Sequence, residues 1–106
     1  MMQVAAKEIT VPFHPQMKEA LLGGWKWLTS RSKRLGEPGD TFTMDGQRFR
    51  IAAVQAVTFG EIADQFYFGE GFGSPEEFRF FWIRLHRGHL PSDDEMKWLH
   101  VLERIA

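Results

Sequence analysis

The 106 residues, 43% of them hydrophobic and with a formal net charge of −1, suit one globular domain spanning 1–106 and argue against a long nucleic-acid track. The absence of cysteine excludes disulfides, thiolate metal sites and a cysteine nucleophile. No apolar run approaches the roughly 20 residues of a membrane span, and the opening MMQVAAKEIT lacks the apolar core of a signal peptide, so a soluble cytoplasmic protein without membrane contact is expected.

Lys7 to Phe13 (KEITVPF) is rich in β-formers and predicts a first strand, with Pro12 at its end or on an edge. The run Gln16–Leu22 (QMKEALL) places Met17, Ala20 and Leu21 at helical spacing, and Gly23-Gly24 ends that helix. Trp25 to Ser30 predicts a second strand, and Ser32 to Asp40 a basic loop marked by Gly and Pro. Asp45-Gly46 sits between two β-prone runs, Thr41–Met44 and Gln47–Val57, a strong hairpin signal. Thr58 to Phe68 fits either a short helix or extended chain. Ser74-Pro75-Glu76-Glu77 predicts a helix start, with Ser as N-cap and carboxylates in the first turn. Phe78, Phe81, Trp82 and Leu85 then mark an apolar face, Gly88 a stop, and Lys97 to Ile105 a final strand. The order β-α-β-β-β-α-β has too few helices for a doubly wound sheet. It suits an α+β fold, a largely antiparallel barrel or curled sheet carrying two helices.

The net charge conceals an asymmetry. Residues 26–50 hold six basic side chains against three acidic ones, whereas residues 61–77 hold five acidic and no basic ones. The basic lobe favours an anionic partner locally. Within it, GGWKWLTSR carries a polar cluster, Lys26, Thr29 and Arg31, where a helix hands over to a strand. Some forty residues on, FGEGFGSPEEF places Glu70 at the head of a Gly-rich turn.

Taken together these segments resemble the ASCH family of the PUA-like superfamily. The first helix is followed by Gly24-x-Lys26 and, five residues past the lysine, Arg31. Pro38-Gly39-Asp40 precedes a strand, and Glu70-Gly71-Phe72 leads into the second helix through Ser74-Pro75-Glu76-Glu77-Phe78. The resemblance spans Lys7 to Ile105. It implies a small β-barrel of about five to six mostly antiparallel strands with two packed helices, and a cleft between barrel and helices that takes RNA or a modified nucleotide. Small bacterial members similar to this chain invite comparison with amidohydrolases of N-acylated cytidine. There, a lysine, a threonine three residues on and a glutamate act together, roles that would fall on Lys26, Thr29 and Glu70. Trp27 stands where those members carry a small β-branched residue.

On chemistry alone, Thr29 needs a neighbouring base. Lys26 can serve only if burial or a nearby cation such as Arg31 lowers its pKa. The plainer alternative is a sheet threonine, a solvated lysine and a salt-bridging glutamate. In a regular strand Lys26 and Thr29 face opposite sides, so they converge only if Lys26 lies before the strand or a bulge intervenes. Arg31 has a planar donor fork suited to phosphate or carboxylate, or pairs with Glu70 to fix the two segments; Lys33 and Arg34 read as solvated loop cations, or as supporting phosphate contacts. Trp25 and Trp27 offer stacking faces for bases or fill the core, and Tyr67 could rim a pocket. His86 and His89 lack third and fourth partners for a metal, so no metal or cofactor is expected. His14 and His100 receive no role.

Overall fold

The computed structural model describes residues 6–105; residues 1–5 of the opening segment and residue 106 lie outside the described residues. Along the chain run α1 (Pro15–Gly23), β1 (Leu28–Arg31), β2 (Thr41–Met44), β3 (Gln47–Thr58), α2 (Phe59–Gln65), α3 (Pro75–Leu85) and β4 (Met96–Ile105). The strands form one antiparallel sheet in the order β1-β4-β3-β2, curled into a half-barrel. The α+β class and antiparallel sheet are as expected. The described strands number four and the helices three, because two segments resolve differently from their local signals. Lys7–Phe13 contributes a single parallel bridge, Glu8 to Thr41, and otherwise runs as irregular chain. Phe59–Gln65 becomes a helix, with the Thr58 hydroxyl accepting from the Glu61 N–H as its N-cap.

Each remaining element has a local cause. His14 caps α1 by accepting the Gln16 N–H on its ring, Pro15 opens the helix, and Gly24 closes it at φ 91°. Asp45 and Gly46 both take positive φ (48° and 81°), which the two-residue β2–β3 turn demands. Ser74 caps α3 through the Glu77 N–H.

The sheet is covered on both faces. Leu28, Val57 and Leu99 pack with Phe59, Ile62, Phe72, Phe78 and Trp82 beneath α2 and α3. Phe42, Phe49, Ile51 and Leu102 pack with Val11 and Leu21 on the other side. Helix α1 bridges the two cores, Met17 entering the first and Leu21 the second. A bulge between Ile51 and Ala53 re-aims β3 so that one strand can serve both. Among the described residues no helix is long and apolar enough to cross a membrane.

Candidate functional site

The handover from α1 to β1 is fixed by backbone bonds. Gly24, Trp25 and Lys26 each donate to the Ala20 carbonyl or its neighbour, which rolls the chain off the helix end. Lys26 therefore lies two residues before β1 begins, which removes the opposite-face conflict with Thr29. The Gly69 carbonyl accepts from both Trp27 N (2.8 Å) and Leu28 N (3.0 Å), docking the Glu70 turn on the edge of β1. Gly71 takes φ 104°, the left-handed region, with its backbone close against Lys26 and Ala20.

These contacts bring Lys26 and Glu70 together. Lys26 is 3% exposed and Glu70 3% exposed. The Lys26 ammonium donates to Glu70 Oε1 (3.0 Å), to the Glu70 carbonyl (3.1 Å) and to the Leu28 carbonyl (2.7 Å). Its three N–H donors match these three acceptors. Burial pulls the Lys26 pKa down from its ordinary range; the Glu70 charge opposes this and Arg31 adds to it. Thr29 does not bond Lys26. Its hydroxyl accepts from Arg31 Nε (3.2 Å), and Arg31 Nη2 donates to the Pro12 carbonyl (2.7 Å) with the guanidinium 5.0 Å over the Phe13 ring.

Lys26, Thr29, Arg31 and Glu70 line one cleft of about 420 Å³. Aromatic rings line it too: Phe72, Phe78, Phe81 and Trp82. Among the described residues three buried side-chain atoms have no hydrogen-bond partner: Ser30 Oγ, Glu70 Oε2 and Trp82 Nε1. All three belong to residues of this cleft. Buried polar atoms are normally paired, so three orphans on residues of one cleft call for an explanation. β1 is an edge strand, and Leu102 N donates to the Trp27 carbonyl (2.9 Å). The alternation of an antiparallel ladder then turns the backbone groups of Leu28 and Ser30 away from β4, where Leu28 N meets Gly69 O and Leu28 O meets the Lys26 ammonium.

The other expected ligand-binding residues lie elsewhere. Trp27 is half exposed and borders a separate cavity of about 130 Å³ behind Lys26. Lys33 and Arg34 are exposed outside the cleft; Arg34 pairs with Glu37 (2.7 Å) and lies over Trp98. Tyr67 packs half-buried against the core under α2 and α3. Several cleft residues carried no sequence signal for the role. The aromatic wall reads as helix core, which it also is. Ser32 lies at the rim, where Lys97 donates to its hydroxyl (2.9 Å). His14 lines the cleft and meets Phe81 edge to face. Among the described residues no group of three or more His, Cys, Asp or Glu could hold a metal.

No protein-family model matches the chain, and no curated protein matches it. Solved structures do. One is an Enterococcus faecalis V583 protein described under the family model DUF984, with a TM-score of 0.63 and 15% identity over 99% of this chain and 78% of that one. Another is the ASCH domain from Lactobacillus crispatus JV V101, with a TM-score of 0.62 and 15% identity over 93% of this chain and 79% of that one. The fold is that of an ASCH domain. At 15% identity the likeness concerns the backbone. Within this ASCH fold the chemistry rests on the cleft's own side chains: a buried Lys–Glu pair, a half-buried arginine and an aromatic wall.

Proposed function

We propose that the cleft binds a nucleobase carrying an exocyclic amine, presented by a nucleotide or by single-stranded RNA. One observation carries this reading. Glu70 Oε2 is buried and unpaired, an ionised carboxylate oxygen only accepts, and Glu70 lines a cavity also lined by aromatic rings. An amino group on a flat ring satisfies the carboxylate while the ring lies against Phe72, Phe78 and Trp82. Trp82 Nε1 and Ser30 Oγ supply donors for the ring's acceptors. At about 420 Å³ the cavity falls in the usual range for small ligands, roughly 300–1,000 Å³, and suits one nucleotide better than a strand. Calorimetric titration with cytidine and uridine tests it. Cytidine should bind roughly tenfold or more tightly than uridine, whose carbonyl would face Glu70 Oε2 with no proton to share. Equal affinities, or no binding of either, would sink the reading.

Hydrolysis of N-acylated cytidine is a second reading; burial lowers the Lys26 pKa, the direction a general base requires, against the Glu70 charge that opposes it. Against it, Thr29 bonds Arg31 and the three Lys26 donors are taken. Ultraviolet absorbance with N4-acetylcytidine, beside Thr29→Ala, decides between turnover and binding.

A further inference from the structure

Arg31 and Lys97 are the two cations near the cleft that the nucleobase reading does not use. Arg31 is held in place before any ligand arrives. Nε bonds Thr29 Oγ1, Nη2 bonds the Pro12 carbonyl, and the plane lies over Phe13. None of these partners is a carboxylate, and among the described residues Arg31 forms no salt bridge. The nearby Glu70 carboxylate has its bonded oxygen on Lys26. A guanidinium has five donors; two are engaged here, which leaves two on Nη1 and one on Nη2 for a further acceptor. A pinned cation with no carboxylate bonded to it is pre-organised for an anion, since the ordering cost is already met.

The adjacent residue adds a directed hydroxyl. Lys97 is 6% exposed, bonds Glu95 (2.7 Å) and lies 5.3 Å from the Trp82 ring centre. It donates to Ser32 Oγ at 2.9 Å. With that oxygen accepting from a buried ammonium, the Ser32 hydroxyl proton is left to point away from Lys97. Arg31 and Ser32 both line the cleft.

We infer that Arg31 and Ser32, with Lys97 behind the serine, form an anion subsite that takes the phosphate of a nucleoside phosphate whose base occupies the cleft. This rests on the nucleobase reading and adds the charge class of the ligand. Arg31 donates to phosphate oxygens through its remaining N–H groups, and Ser32 donates to another. Lys97 acts as a positioning residue, since it reaches the ligand only through Ser32.

The test titrates the full chain at fixed ionic strength with cytidine, cytidine 5′- and 3′-monophosphates, and the dinucleotide CpC. Inorganic phosphate is scored separately, by the thermal midpoint. A monophosphate or CpC should bind roughly tenfold tighter than cytidine. Ser32→Ala should shrink that ratio, and Arg31→Gln should bring it near one. A preference for the monophosphate assigns a free nucleotide, and equal binding of CpC assigns an RNA strand. Should cytidine match every phosphorylated ligand in the wild type, the subsite is wrong while the nucleobase reading stands. Stabilisation by phosphate in the wild type but not in Arg31→Gln, with no nucleoside bound, keeps an anion site and overturns the nucleotide assignment. No response to phosphate or nucleotides overturns both. If Arg31→Gln fails to fold, Ser32→Ala, at an exposed position, carries the comparison.

Discussion

Lys26 Nζ lies 3.0 Å from Glu70 Oε1, and the contact ties the end of the first helix to a turn 44 residues later, out of solvent on both sides. Breaking such a pair from one side leaves a lone buried charge. Lys26→Met or Glu70→Leu alone should each cost about 3–5 kcal/mol in urea unfolding. The double variant should recover much of that loss and still fail to bind ligand. If the two single losses simply add, the pair contributes nothing as a pair.

His100 gives the fold a pH limit. It is fully buried. Leu35 N donates to its Nε2 (3.0 Å), so the ring's single proton sits on Nδ1, which donates to the Thr29 carbonyl (3.1 Å). Burial lowers its pKa below the ordinary 6.5, partly opposed by the bond to Thr29. The unfolded chain therefore takes up this proton at a higher pH than the folded chain. Stability from this group is complete above about 6.5 and falls as the pH drops from there toward the lower folded value. Unfolding curves between pH 5 and 8 should show that decline, and His100→Gln should flatten it.

Asp40 fastens the outer rim and not the cleft. Its two oxygens accept from Lys7 N (2.9 Å) and Glu37 N (2.8 Å), which holds its pKa below the ordinary carboxylate value. Its contribution is present above about pH 4 and is lost as acid protonates the folded carboxylate. Asp40→Asn keeps one acceptor of the two and should cost about 1–3 kcal/mol, measured by denaturant midpoint, while leaving cytidine affinity unchanged.

Gly69 holds the Glu70 turn against β1. A Cβ there would meet Leu28 Cδ1 at 2.5 Å and the Trp27 ring at 3.1 Å. Gly69→Ala should destabilise by about 1–3 kcal/mol and weaken ligand binding further than stability alone explains, because the turn must move with Glu70 on it. Gly71→Ala, at φ 104°, should do the same through backbone strain. Wild-type affinity in both variants would show that the turn is free to shift.

Much of this architecture was legible where local chemistry decides it. The Asp45-Gly46 hairpin, the Ser74-Pro75 helix start and the last strand lie close to where periodicity and turn residues place them. Lys7–Phe13 was less legible, since β-formers alone do not create a partner and β2 offers it only the Glu8–Thr41 bridge. In the cleft, the structure brings Lys26, Thr29, Arg31 and Glu70, singled out in the sequence, to one cavity. The bond Thr29 makes depended on where β1 begins, which no spacing fixes. Trp27, Lys33, Arg34 and Tyr67 fell outside the cleft because adjacency in sequence is not adjacency across an edge strand. His100 was readable in principle: Leu102 on the same strand face is buried, and a period of two turns His100 inward. Ser32 and Lys97 touch across 65 positions, and nothing local announces that.

The turn that carries Glu70 has a second consequence. β1 ends the sheet, and an open strand edge invites pairing with another molecule. Through one carbonyl, Gly69 occupies the outward N–H of Leu28 and the N–H of Trp27. The same seven-residue excursion from Phe66 to Phe72 thus builds the polar wall and shields the strand from self-association. A lesion there should surface first as concentration-dependent aggregation, in a protein whose two cores are still intact.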